Sequence, residues 1–309
     1  MITHDDSTER ALGNEPEALA PLSRAEAAHL VRLSLEAAAR HALPARYDGA
    51  GALVLHPDSP PSGRFEAGLT NLARIVAGQR PDHWPRLVGE HFDRLAHAVR
   101  HGPPPAPADP RRELLQRLAV KDSLEPRLTS SAPEFVPGLL SVPATTTDGT
   151  ITMYLDPETD LGLSWAAAES YGLRNLRSLT DTVTYAEHDG TRVALVTGHD
   201  FAASRALVLD TVLRESLQIE NPRYGVLAAM PVRNLLLVHV IADLSVIPAL
   251  GLMLNLAGRS YATDPGPLSP WIYLAGRNGW QPATRPLGDS APGLSSPFVD
   301  LLHQLDQAS

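Results

Sequence analysis

The feature that most constrains the fold of this chain is an alternation repeated three times in its second half. A segment with helical apolar spacing is followed by two short apolar runs across residues 164–197, again across 202–239 and again across 245–282. Apolar residues three or four positions apart indicate helices, and short apolar runs between turn residues indicate strands. The pattern therefore predicts three helix–hairpin units, with helices at 164–176, 202–218 and 246–257.

Turn sequences support the hairpins. Asp189-Gly190 joins the runs 181–187 and 192–197, and Arg277-Asn278-Gly279 joins the last two runs. Asp-Gly and Asn-Gly favour the left-handed backbone of two-residue hairpin turns. Hairpins joined by helices of this length form a mostly antiparallel sheet with helices packed on one face. We expect an α+β fold, with the continuously apolar run 235–241 as its central strand.

The first half of the chain lacks this alternation and predicts a smaller, mainly helical region. Ser23 and Glu26 have the spacing of a capping box at the start of a helix. Further helices are predicted near 66–77, 84–101 and 111–120, and a short strand at 52–55. The predicted organisation is a disordered N-terminus (1–21), a mainly helical region (22–102), a proline-rich linker (103–110), a helix–hairpin domain (111–285) and a tail with a short helix (286–309).

Composition excludes several classes of function. The 35 acidic residues outnumber the 26 basic ones, for a formal net charge of −9, whereas nucleic-acid binding requires a basic face. There are 0 cysteines, which excludes disulfides, thiolate nucleophiles and cysteine-bound zinc. The polar, acidic N-terminus does not have the pattern of a signal peptide, and no apolar run is long enough to span a membrane. These observations predict a soluble cytoplasmic protein that binds neither nucleic acid nor membrane.

Several segments carry a resemblance to a known family. They are Asp200-Phe201-Ala202-Ala203-Ser204-Arg205, the run 225–231 followed by Leu235-Leu236-Leu237-Val238, Asp243, and Leu268-Ser269-Pro270. On these residues the part of the chain from 151 to 282 resembles the YtpQ-like bacterial family, a domain of unknown function. The resemblance implies a bacterial protein with the α+β fold expected above. It implies no catalytic residues, because the family has no assigned activity.

Five polar residues are candidates for a catalytic site. His199 and Asp200 lie between a predicted strand and helix, and Ser204 follows shortly after them. His239 and Asp243 lie at the end of the predicted central strand. Together they contain the side-chain types of a hydrolase, although the Gly-x-Ser-x-Gly motif does not occur in the sequence. The alternative is that Asp200 and Asp243 cap helices and that His239 is a satisfied core residue.

No metal or cofactor is predicted. His97 and His101 lie four residues apart on a predicted helix, which is a spacing that metal sites use. Histidines in the last turn of a helix are also favoured by its dipole and free carbonyl groups. The sequence offers no third ligand and no glycine-rich phosphate loop, so we favour the second explanation.

Aromatic and arginine residues around the last hairpin are candidates for protein binding, because Trp, Tyr and Arg dominate binding hot spots. The candidates are Arg259, Tyr261, Trp271, Tyr273, Arg277 and Trp280. The alternative for Trp271 and Tyr273 is that alternate strand residues face the core. A second candidate is the outer edge strand of the sheet, since unpaired edges accept extended peptides.

The sequence therefore predicts a non-enzymatic protein-binding protein, acting as an adaptor, a chaperone-like protein or a regulator. Its expected partner is another protein or a second copy of itself. The alternative is a hydrolase that uses the five polar residues.

Overall fold

The computed structural model describes residues 18–56, 65–102, 105–124, 129, 131–147, 150–277, 279–287 and 290–308. The chain forms two compact units, residues 1–105 with 263–265 and residues 106–262 with 266–309. Predicted features that lie outside the described residues are the disorder of 1–17, Asn278 of the last turn, and Pro103 and Pro104 of the linker. Within the described ranges, no helix has both the length and the apolar character needed to cross a bilayer.

In its described residues, the first unit packs three helices against a small antiparallel sheet. The helices are α1 (Arg24–Arg40), α2 (Thr70–Ala77) and α3 (Trp84–His101), and the sheet has the order β1 (Ala45–Tyr47), β2 (Ala52–Leu55), β3 (Phe65–Gly68). The predicted capping box is present, because the Ser23 side chain accepts from the Glu26 amide and the Glu26 side chain accepts from Ser23. The helix predicted at 66–77 is wrong over its first residues. They form β3 instead, which pairs with the apolar strand β2. This pairing provides hydrogen-bond partners for the backbone groups on the edge of β2 that faces away from β1.

The second unit begins with a four-stranded sheet. A single turn, α4 (Pro110–Glu113), leads into β4 (Leu115–Val120), and the sheet continues with β5 (Glu134–Val136), β6 (Leu139–Thr147) and β7 (Thr150–Met153). The helix predicted at 111–120 ends at Glu113, and the prediction is wrong over Leu115–Val120. Six residues of β4 pair in register with β6, and this non-local ladder outweighs the local helical spacing.

The rest of the second unit contains the predicted helix–hairpin units. After α5 (Pro157–Leu161) and α6 (Trp165–Arg177), the main sheet is formed by β8 (Thr182–His188), β9 (Thr191–Thr197), β10 (Val226–Val232), β11 (Leu235–Val240), β12 (Ile272–Gly276) and β13 (Gly279–Pro282). All neighbours are antiparallel, in the order β13-β12-β10-β11-β9-β8. The prediction of an α+β fold with a mostly antiparallel sheet is confirmed, and β11 is central.

Helical elements cover both faces of this sheet, whereas the sequence predicted helices on one face. On one face, residues such as Leu227 and Leu237 pack against α7 (Val246–Thr263) and α8 (Ser296–Gln307). On the other face, residues such as Ala228 and Val238 pack against β4 to β6 and the segment 203–216. Strands β14 (Thr284–Leu287) and β15 (Ser290–Leu294) form a separate hairpin before α8. Alternate residues of β10 and β11 are therefore buried on opposite sides.

The segment 203–216 replaces the regular helix predicted at 202–218. It consists of a 3₁₀ helix (Ala203–Val208), one short α turn (Leu209–Thr211) and a π-helical turn (Val212–Ser216). Four consecutive residues from Ala203 to Ala206 are buried, whereas a regular surface helix leaves one face exposed. The Ala203 amide donates to the Arg233 carbonyl, so tertiary hydrogen bonds replace part of the helical ladder.

Candidate functional site

The aromatic residues of the β12–β13 hairpin pack mainly against one face of the sheet. Tyr273 is fully buried, and its hydroxyl lies 2.9 Å from the Ser269 hydroxyl. Burial raises the pKa of Tyr273, although the Ser269 hydrogen bond acts in the opposite direction. Trp280 is half-buried and makes an edge-to-face contact with Phe135 at 4.9 Å between ring centroids. Trp271 is half-buried against the same core. Tyr273 is therefore a core residue.

The other predicted binding residues divide between two places. Arg259 and Tyr261 lie near the end of α7, and that helix packs on the face of the sheet opposite Trp280. Arg277 is exposed at the tip of the hairpin, and among the described residues it has no ion-pair partner. The structure therefore does not gather the six residues into one surface.

Arg277 and Trp280 line a cleft of about 550 Å³ at the end of the hairpin. Its apolar wall includes Leu213 and Ile219, and its charged rim includes Asp210, Arg214 and Glu220. Leu213 belongs to the π-helical turn, and Gln218 and Asn221 beside it have left-handed backbones with φ of 58° and 47°. Non-glycine residues in this conformation and π-helical turns both occur often at functional sites.

Gly225 is one of the residues that line this cleft, and its conformation is required by a close approach of two strands. Its φ is 79°, and an added Cβ would collide with the backbone carbonyl oxygen of Ala275. We expect Gly225→Ala to lower the free energy of unfolding by about 2 kcal/mol or more, because alanine meets both a left-handed backbone and a steric clash. Urea denaturation measures this change.

Gly251→Ala is the matched control for this prediction. Gly251 lies inside α7, and an added Cβ there meets nothing within 4 Å. We expect this alanine to raise stability by about 0.5–1 kcal/mol, since glycine is a poor helix former. Equal effects of the two substitutions would show that the clash at Gly225 is relieved by movement of the strands.

The five polar candidate residues do not form one hydrogen-bonded site. No hydrogen bond joins any two of their side chains in the described part of the chain, and their partners lie in different elements. The Ser204 hydroxyl accepts from the Leu118 amide at 3.0 Å. The Asp200 carboxylate lies 3.7 Å from Arg233 Nε and caps no helix, which corrects the predicted capping role. The serine is occupied in packing β4 against the segment 203–216.

The two residues at the end of β11 also have separate structural partners. His239 Nδ1 lies 2.8 Å from the Arg192 carbonyl oxygen, and its buried Nε2 atom has no hydrogen-bond partner among the described residues. His239 is therefore only half satisfied. Asp243 accepts the Ser245 amide at 2.8 Å. Ser245 precedes Val246, the first residue of α7, so this bond closes a local turn and is not the predicted cap of a helical amide. Hydrogen bonds from Ser245 lower the pKa of Asp243. In this geometry neither residue activates a serine nucleophile.

The fifth residue, His199, belongs to a buried polar network around Asp181. Asp181 has a fully buried side chain that accepts from His199 Nε2 at 3.2 Å, from the Ser216 hydroxyl at 2.6 Å and from Arg205 Nη2 at 2.9 Å. Arg205 is also buried, and its Nη1 atom donates to the Leu176 carbonyl. Burial by itself would raise the pKa of Asp181, but these hydrogen bonds hold it below its ordinary value.

The network is built for anchoring rather than proton transfer. The Phe201 amide donates to His199 Nδ1, so the proton of this histidine lies on Nε2 and is donated to Asp181. Both ring nitrogens are therefore occupied, and neither is free to act as a base. The network instead ties together the end of α6, the start of β8 and the segment 203–216. No local pattern in the sequence marks Asp181 as a site residue, because its partners are 18 to 35 residues away.

The outer edge of the main sheet is β8. In the described part of the chain this strand pairs only with β9, over seven consecutive residues without a bulge. Its two-residue turn has positive φ at both Asp189 (48°) and Gly190 (74°), as the Asp-Gly sequence predicts. The backbone groups of Val183, Tyr185 and Glu187 point away from β9, because alternate residues of an antiparallel strand face opposite edges.

This edge lacks most features by which proteins protect exposed strands. Natural edges are blunted by lysine, proline, bulges or short length. Residues 182–186 read Thr-Val-Thr-Tyr-Ala, without charge or proline, and only Glu187 and His188 follow before the turn. Tyr185 is 44% exposed, and the Arg192 guanidinium lies over its ring at 3.4 Å from the centroid. The strand is therefore open to pairing with another chain.

Comparison of the chain with protein-family models, with characterised proteins and with solved structures found no match. The resemblance to the YtpQ-like family stays a prediction. In the described ranges, no group of three or more histidine, aspartate or glutamate side chains is placed to hold a metal ion.

Proposed function

We propose that this chain is a cytoplasmic, non-catalytic protein-binding module that adds an extended segment of its partner to the edge strand β8. The observation that carries the proposal is the unbulged outer edge of seven residues, which pairs with no further strand among the described residues and has three outward-facing peptide groups. In strand addition, main-chain hydrogen bonds supply affinity and alternate side chains supply specificity.

Two further observations support a binding role. Tyr185 offers an exposed aromatic ring on the edge, and Arg192 holds that ring in place before any partner arrives. Tyrosine and arginine are enriched among the residues that dominate binding energy. The five polar residues, by contrast, have separate partners and share no hydrogen bond: His199, Ser204, His239 and Asp243 each bond to a different group, and the Asp200 carboxylate pairs with Arg233. This separation favours binding over hydrolysis.

A substitution that removes one outward amide tests the proposal. Glu187→Pro removes the outward N–H while leaving the ladder with β9 intact, since proline is tolerated where its nitrogen faces away from the sheet. We expect partners captured from native cells to fall about tenfold, as expected for the loss of one or more interchain hydrogen bonds. Quantitative mass spectrometry of the captured proteins measures this change.

Glu187→Gln is the control, because it removes the same charge and keeps the amide. A photo-crosslinking residue at position 185 should label the partners, and one at the exposed Ile247 of α7 should not. If the proline variant captured the same proteins in the same amounts as the glutamine variant, binding along β8 would be excluded.

A further inference from the structure

We propose that the partner on the β8 edge is a second copy of this chain, paired antiparallel with a twofold axis at Tyr185. This inference rests on the proposed function, because it names the partner for the same edge. The pairing would join the two main sheets into one continuous sheet.

The geometry of the strand favours this symmetric arrangement. A twofold axis at Tyr185 places Tyr185 opposite Tyr185 and Val183 opposite Glu187 of the second copy, twice. These are the three residues whose peptide groups face outward, so each copy uses all of them. Each such pair exchanges two hydrogen bonds in an antiparallel ladder. No outward group within β8 is then left unpaired.

Other registers satisfy fewer groups. An axis at Thr184 pairs Glu187 with Asp181, which lies outside β8 and is held in the buried network. An axis at Ala186 pairs Val183 with Asp189, which has the left-handed backbone of the turn. An axis at Glu187 brings two carboxylates directly opposite each other, which is destabilising in a sheet.

The side chains are compatible with the axis at Tyr185. On one face the two Tyr185 rings become neighbours, and cross-strand aromatic pairs stabilise sheets. The two Glu187 residues are then separated by about 13 Å along the strands, beyond the screening length at physiological salt. Each Glu187 is the cross-strand neighbour of Arg192 on its own β9 strand, which places opposite charges at adjacent positions of the sheet.

Single cysteines test both the partner and the register, because the chain contains 0 cysteines of its own. Directly opposed, hydrogen-bonded residues have Cα atoms about 5.5 Å apart, which a disulfide spans. We expect Tyr185→Cys to form a covalent dimer under mild oxidation. Thr184→Cys should not, because the two Thr184 Cα atoms would be about 8 Å apart in this register.

Sedimentation equilibrium of the full chain over a concentration series provides a second measurement. We expect a reversible dimer for the native sequence and for Glu187→Gln, and a dissociation constant raised about tenfold or more by Glu187→Pro. Circular dichroism and thermal unfolding should show that both variants remain folded.

Three outcomes would overturn the inference. They are a monomer at every concentration, absence of an interchain disulfide in the Tyr185→Cys variant, and faster oxidation of the Thr184→Cys variant than of the Tyr185→Cys variant. If other proteins were still captured and were lost with Glu187→Pro, the proposed function would stand while the self-pairing failed. If neither dimer nor proline-sensitive partner were found, both would fail.

Discussion

Replacing Arg205 with alanine is expected to lower the free energy of unfolding by about 3–5 kcal/mol, because it leaves the buried carboxylate of Asp181 without its cation. The Arg205 side chain is 1% exposed and the Asp181 side chain 0%. The substitution also removes the donor to the Leu176 carbonyl. Urea denaturation followed by circular dichroism measures the loss.

Arg214→Ala is the control for charge removal. Arg214 lies 2.9 Å from Glu215, but both side chains are more than half exposed, and ion pairs of this kind contribute little. We expect no measurable change in stability. Similar losses of stability in the two variants would mean that Arg205 contributes only through the net charge of the chain and not through the buried network.

Acid titration gives an independent measurement of the same network. Hydrogen bonds hold the pKa of Asp181 below its ordinary value. The ionised Asp181 carboxylate therefore stabilises the folded chain at neutral pH, and this stabilisation is lost as the pH falls through the lowered pKa. The stability difference between the native chain and Asp181→Asn should therefore shrink below about pH 4. A difference that stayed constant down to the acid transition would exclude an ionised Asp181.

Tyr273→Ala is expected to lower the free energy of unfolding by about 3–5 kcal/mol, as large-to-small substitutions of buried aromatic residues do. Tyr273 is 1% exposed and packs against Trp280 at 6.3 Å between ring centroids. Tyr273→Phe should lose only about 1 kcal/mol, for the hydrogen bond with Ser269. Denaturant titration of both variants measures the difference.

Tyr185→Ala is the matched exposed control. It removes an aromatic side chain that is 44% exposed, and we expect it to change stability by about 1 kcal/mol or less. A Tyr273→Ala variant that kept its stability but lost partner binding would contradict the core assignment. That result would instead support the sequence-based prediction that the β12–β13 hairpin binds a protein partner.

Local signals explain which parts of the fold were predictable. Asp189-Gly190 supplies the left-handed backbone of the β8–β9 turn. Ser23 and Glu26, three residues apart, cap the start of α1 by hydrogen bonds between their side chains and each other's backbone amides. These features depend on residues close in sequence. The strand Leu115–Val120 was missed because its partner β6 lies about 20 residues further on, and pairing of that kind leaves no periodic mark in a short segment.

The candidate site was less predictable for the same reason. Residue type selected Arg277 and Trp280, which line a cleft, but the same criterion also selected the core residue Tyr273. The exposure of β8 follows from the order of the six strands, which hairpin patterns alone do not determine. No sequence motif indicates the role of Asp181, because its partners His199, Arg205 and Ser216 come together only in the folded chain.

The anchoring of Asp181 has a consequence for how the edge meets a partner. Asp181 directly precedes Thr182, the first residue of β8, and at its other end the strand enters the two-residue turn Asp189-Gly190. Both ends of β8 are thus held by the rest of the chain before any partner strand binds. Because β8 is already ordered, it loses little conformational entropy when a partner strand pairs with it. Even a short interchain ladder on this edge therefore keeps most of its hydrogen-bonding energy as affinity.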